Sequence, residues 1–205
     1  SLNSGCRDLI CVCRQEVGVS DVLTVSQSSR CEFAHLTFIP SVTLIEYMLS
    51  EGDHAPSFAL PAFIDGSIET FSLEDTIGEQ ITILVFYPAD FNPGCDEQSP
   101  LNDLDLFAMQ PAVNAIGIGP DSVYSHRNFA EEYDLKIPLC TDSTGEVATE
   151  YGVAYESEDG QLLFERAVYI IDLDGLVKYA WYNRDMRADF PINAIQQAVA
   201  DIGGD

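Results

Sequence analysis

Basic residues are scarce in this chain of 205 residues: nine stand against 34 acidic ones, for a formal net charge of -25 and an isoelectric point near 4.1. Only Lys136 and Lys178 are lysines. A surface this negative repels phosphate backbones and anionic lipid head groups, so neither nucleic acid nor membrane is expected as a partner. The acids are scattered rather than gathered in a tail, which is the pattern of a salt-adapted surface; an ordinary acidic cytosolic protein is the alternative. Long apolar runs are also missing, since no stretch approaches the ~20 residues of a membrane helix. The start of the chain as given lacks the basic region and apolar run of a signal peptide, and a cytoplasmic location is the expectation. There is no Gly-rich phosphate loop before a helix and no His/carboxylate cluster with ligand spacing, so neither a metal nor another cofactor is expected. Six cysteines are too few for a disulfide scaffold, and the Cys-x2-Cys of a disulfide exchanger is absent.

What is present suffices for one packed domain, with 46% apolar residues and 10% aromatics. Residues 1–47 differ from the rest: they hold Cys6, Cys11, Cys13 and Cys31 but only five of the acids. The expected organisation is an atypical segment over 1–47, upstream translation or disordered, and a domain over 48–205 that opens at Met48. The Cys6-x4-Cys11-x-Cys13 spacing lacks the paired Cys-x2-Cys of a structural zinc site.

From residue 56 the pattern is regular. Phe58–Pro61 and Ile68–Phe71 suit a hairpin around Asp65-Gly66. Ile81–Tyr87 is an almost unbroken apolar run ended by Pro88, as in a strand covered on both faces. A helix is predicted over 95–109 with Leu101, Leu104 and Ala108 at helical spacing, then a strand over 112–118, a helix over 125–133 with a Ser cap, a strand over 137–140 and a helix over 143–151. Ala167–Asp172 and Leu176–Trp181 flank Asp174-Gly175, a second hairpin. A last helix runs to Ile202 with Asp189 as cap, Pro191 in its first turn, and Ile195 and Val199 on one face.

Cys95 falls just after the central strand, at the start of a helix. Unsatisfied backbone N–H groups and the helix dipole there favour a thiolate, the nucleophilic form of cysteine. Position alone leaves a small buried hydrophobe as an equal alternative. The surrounding residues, Phe86-Tyr-Pro88-Ala-Asp-Phe-Asn92-Pro-Gly-Cys95, resemble the active-site loop of peroxiredoxins, particularly the bacterioferritin-comigratory or Q-type branch. The similarity continues through Gly119–Ser122, Ser125-His126, Pro138–Asp142, Gly145–Ala148, Tyr151–Val153 and Arg166–Gly175. It implies an α/β thioredoxin-like fold, a central mixed sheet flanked by helices. It also implies a thiol peroxidase acting on hydrogen peroxide or small organic hydroperoxides, with thioredoxin or a small thiol as reductant, as a monomer or homodimer. By the same resemblance Cys95 is the peroxidatic cysteine, Arg166 the cation that favours the thiolate and holds the peroxide, and Pro88 the shield against water. Pairing of Arg166 with an acid such as Glu165 is the alternative for that residue.

Two departures stand out. Asn92 occupies the place of a hydroxyl residue, though its carboxamide both donates and accepts hydrogen bonds. The Q-type resolving position is Pro100, and no cysteine follows Cys140. Cys140, at the end of a short strand, is expected in the core, so a one-cysteine mechanism is favoured. A general thiol-disulfide oxidoreductase and a redox-silent binding or sensor protein are the rival readings. His126 is expected to be a surface or capping residue away from Cys95; His35 and His54 carry no signal.

Overall fold

Two consecutive left-handed residues, Asp65 at φ 47° and Gly66 at φ 84°, close the first hairpin as a tight turn of the kind Asp-Gly favours. They join β1 (Ala59–Ile64) to β2 (Ser67–Ser72). The computed structural model describes residues 48–91, 101–157, 160–185 and 189–204. The expectations for residues 1–47, for Asn92, Cys95 and Pro100, and for the first turn of the 95–109 helix lie outside the described residues.

The central run is β3 (Ile81–Phe86), with all six residues buried. A 3-10 turn at Asn102–Leu104 then leads into the short α1 (Asp105–Ala108). Leu101, Leu104 and Phe107 are buried at a spacing of three. The chain continues through β4 (Val113–Gly119), α2 (Val123–Tyr133), β5 (Leu139–Thr141) and α3 (Glu146–Glu150). A small hairpin of β6 (Ala154–Glu156) and β7 (Leu162–Phe164) follows, then β8 (Arg166–Ile171), β9 (Val177–Asn183) and α4 (Ile192–Gly203).

Three helix starts differ from the sequence expectation. The Ser cap of α2 is Ser122, whose side chain accepts from the Ser125 N–H, so the helix begins at Val123. Gly145, left-handed at φ 68°, delays α3. Pro191 itself sits at the cap of α4 and its carbonyl accepts from the Ile195 N–H, while Asp189 lies exposed before the helix.

Seven strands form one mixed sheet in the order β2-β1-β5-β4-β3-β8-β9, with β3-β4 and β4-β5 parallel and the other pairs antiparallel. Strand alternation splits β3 between two cores. Ile81, Ile83 and Val85 face Leu104, Phe107, Phe129, Ile195 and Val199 from α1, α2, α4 and the 3-10 turn; Leu84 and Phe86 face Phe58, Tyr151, Phe164 and Tyr169. A sheet covered on both faces accounts for the unbroken apolar run of its middle strand. The parallel strands place the β3–α1 and β4–α2 connections at one end, where α/β sheets carry their sites. Among the described residues no helix is long and apolar enough to cross a membrane.

Candidate active site

Tyr87 continues the β3 alternation onto the face of Ile83 and Val85, and is buried. Its ring lies over two strand glycines: a Cβ at Gly117 would come within 3.2 Å of Tyr87 Cε1, and one at Gly119 within 2.9 Å of Tyr87 Cζ. A Gly-Ile-Gly strand end is the sequence mark of such close approach. Pro88 follows, buried, and turns the chain out of the sheet.

Asp90 then folds back inward, with only 1% of its side chain exposed. The Tyr87 hydroxyl donates to Asp90 Oδ1 at 2.9 Å, and His126 Nδ1 lies 3.1 and 3.0 Å from Oδ1 and Oδ2. The Asp90 backbone N–H donates to Asp121 Oδ2 at 2.8 Å. A carboxylate only accepts, and the single Tyr87 proton is already directed at it, so the proton facing Asp90 from the imidazole is on Nδ1. Nε2 of His126 has no hydrogen-bond partner among the described residues. Burial, then the charge and hydrogen bond of Asp90, hold the Tyr87 hydroxyl well above its ordinary range. Burial, with the Asp90 charge adding to it, raises Asp121 against the Asp90 N–H and the pull of His126. A buried carboxylate persists only when hydrogen-bonded and paired, and removing one partner of such a pair costs about 3–5 kcal/mol.

His126 is therefore not the surface or capping residue expected from sequence. With α2 starting at Val123, His126, Phe129 and Ala130 fall at i, i+3 and i+4 on its buried face. That spacing ahead of Phe129 was the signal available in the sequence, and Asp90, Asp121 and Tyr87 were missed with it.

Phe91 is left-handed at φ 52°, 46% exposed, and its ring meets Phe129 edge-on at 5.1 Å between centroids. Cys95 lies four residues further on, outside the described residues. Across from the end of β3, Arg166 opens β8 and is 2% exposed, with its guanidinium carbon 5.3 Å from the centre of the Phe190 ring. One step beyond the Phe86–Ala167 pair, the antiparallel register sets Arg166 across from Tyr87. The structure thus brings Pro88 and Arg166, two of the four expected site residues, to the same end of β3 and β8. Glu165, the alternative partner for Arg166, pairs with Arg184 at 2.5 Å. Cys140 is wholly buried in β5, and burial pushes its thiol far above the ordinary range. A groove of about 720 Å³ lies at the opposite end of β8 beside Asp172, Lys178, Tyr179 and Asp201. Among those residues no His, Cys, Asp and Glu group is arranged to hold a metal.

Residues 51–180 match the AhpC/TSA family. The chain belongs to that family. Among its AhpC/TSA relatives it is 32% identical over 134 residues to the putative peroxiredoxin bcp of Coxiella burnetii, which covers 63% of this chain and 86% of that one. It is 34% identical over 137 residues to the chloroplastic peroxiredoxin Q of Triticum aestivum, covering 66% of this chain and 60% of that protein's length. The crystal structure of the peroxidoxin BcpB of Mycobacterium tuberculosis superposes with a TM-score of 0.60 at 27% identity, over 77% of this chain and 98% of the other. These AhpC/TSA relatives carry the thioredoxin-like fold and the bcp and Q-type likeness expected from the sequence.

Proposed function

We propose that residues 48–205 form a cytoplasmic thiol peroxidase whose peroxidatic residue is Cys95, reducing hydrogen peroxide or small organic hydroperoxides. The observation that carries the reading is a buried guanidinium, Arg166, abreast of the chain leaving β3 through Pro88, in a chain whose relatives are named peroxiredoxins. The Cys95 thiolate attacks one peroxide oxygen, the O–O bond breaks, and the departing oxygen leaves as water or an alcohol after taking a proton. Arg166 favours the thiolate and stabilises charge moving onto that oxygen, while Pro88 keeps water away. Asn92 stands where a carboxamide can hydrogen-bond the thiolate and the peroxide. Cys95 is left as a sulfenic acid; thioredoxin or a small thiol forms a mixed disulfide with release of water, and a second thiol restores Cys95. Burial of Cys140 supports resolution by an external thiol. A monomer or a homodimer fits this cycle.

Stoichiometric peroxide added to the reduced protein, with sulfenic acid trapping and mass spectrometry, tests the assignment. Cys95 is expected to oxidise orders of magnitude faster than free cysteine, Arg166→Gln to slow it by about 100–1,000-fold, and Cys140→Ser to leave turnover with an external thiol unchanged. Oxidation of Cys95 at the rate of free cysteine would overturn the function. A trapped Cys95–Cys140 disulfide would overturn the one-cysteine cycle.

A further inference from the structure

We infer that Asp90 and His126 form a positioning unit for the peroxidatic thiol, acting through the Nδ1–H of His126. The inference rests on Cys95 being the reacting cysteine. Asp90 precedes it by five residues and ties the described loop into the body of the domain by hydrogen bonds. It is tied three ways: by the Tyr87 hydroxyl at the end of β3, by His126 Nδ1 on α2, and by Asp121 Oδ2, in the turn between β4 and α2, through its own N–H. Three elements meeting on one buried residue fix its position, where a loop on a surface would drift. Phe91, just after it, is held left-handed, a backbone conformation that a residue of its kind rarely adopts. Peroxide reduction needs the thiolate in line with the O–O bond, and a displacement of about 1 Å from the reacting geometry can cost about 100-fold in rate. The family's expected catalytic residues touch the thiol or the peroxide; Asp90 and His126 act one step back, on the segment that delivers the thiol.

The geometry also says which nitrogen matters. Only Nδ1 reaches Asp90, and Nε2 has no partner among the described residues. Asparagine can place a donor near the Nδ1 position, glutamine places one near Nε2, and leucine places none.

The full chain is compared with His126→Asn, His126→Gln, His126→Leu and Tyr87→Phe, measuring the second-order rate of Cys95 oxidation by hydrogen peroxide and, separately, its alkylation by iodoacetamide. Alkylation needs a thiolate but no alignment with a peroxide. The expected result is a peroxide rate within about threefold of the parent for His126→Asn and lower by about tenfold or more for His126→Gln and His126→Leu, with alkylation within about twofold throughout. Tyr87→Phe keeps the ring and loses only the hydroxyl, and is expected to lose rate in the same peroxide-selective way even where a leucine at 126 fails to fold. A parent that reacts fast while Gln and Leu react equally fast would overturn the inference alone, as would Asn falling as far as Leu, or peroxide and alkylation rates falling together. A parent no faster than free cysteine would overturn the function and this inference with it.

Discussion

At Gly119 the position of one hydrogen decides whether Tyr87 and His126 fit. A Cβ there would come 2.9 and 3.1 Å from Cζ and the hydroxyl of Tyr87, and 3.2 Å from Cε1 of His126. The tyrosine cannot swing aside without leaving Asp90, so the added methyl strains the cluster rather than a flexible side chain. Gly119→Ala is expected to destabilise the protein by about 1–3 kcal/mol, the usual cost of overpacking. Gly203→Ala, at the end of α4 with nothing within 4 Å of the added carbon, is expected to leave stability unchanged or raise it by under about 1 kcal/mol. Urea midpoints compare the two, and equal effects would show the close approach at Gly119 to be unimportant. At this scale the sequence was only partly legible. Pro88 and Arg166 could be placed by motif resemblance, whereas Asp90 and His126 are 36 residues apart and their contact exists only once β3 and α2 are packed.

Among the elements, the β8–β9 connection is the most self-contained. Asp172 Oδ1 accepts from the N–H groups of Asp174 and Leu176, both at 2.9 Å, Lys178 Nζ lies 3.2 Å from Oδ2, and Gly175 turns the chain at φ 79°. Burial works against the charged carboxyl, but the Leu176 N–H, Lys178 and the Asp174 N–H outweigh it and hold Asp172 below the ordinary carboxylate range. A depressed acid contributes stability that is present above its unfolded value of about 3.9 and is lost as pH falls through the folded one. Asp172→Ala is therefore expected to cost about 1–3 kcal/mol at neutral pH, and the gap between variant and parent to narrow below about pH 4. Urea titrations at both pH values check this, and a gap that widens in acid would contradict it. Turns of this kind explain which elements could be read in advance. Both hairpins carry Asp-Gly between apolar runs, and β3 is long and unbroken. The β6–β7 pair escaped because three-residue strands show no period, and the α2 start escaped because Ser122 and Ser125 are both good caps and only packing of His126 selects the first.

For the molecule as a whole the decisive quantity is the net charge of -25. Among the described cations Lys136 pairs with Asp134, Lys178 with Asp172 and Arg184 with Glu165, Arg127 lies over the Tyr124 ring, and Arg166 is buried. Carboxylates far outnumber the cations that could pair with them, and their mutual repulsion opposes the compact state. Burial raises Asp105, Asp121 and Asp142 above the ordinary carboxylate range. A raised acid costs stability while ionised, and the cost is relieved as pH falls through its folded value. Two independent levers therefore act on one energy: added salt shortens the reach of each charge from about 10 Å at 0.1 M to about 3 Å at 1 M, and mild acid removes charge. Thermal midpoints at pH 7 are expected to rise by several degrees, on the order of 2–4 °C per kcal/mol, as KCl goes from about 0.1 to 1 M. Lowering the pH from 7 toward the carboxylate range at low salt should raise them as well, because the raised carboxyls protonate ahead of ordinary ones while the depressed Asp172 stays charged. The two gains should not add. In about 1 M KCl the repulsion is already screened, so acidification should recover only what protonating the three partly buried acids contributes. Full additivity would mean that repulsion among surface carboxylates is not what limits the stability of this fold.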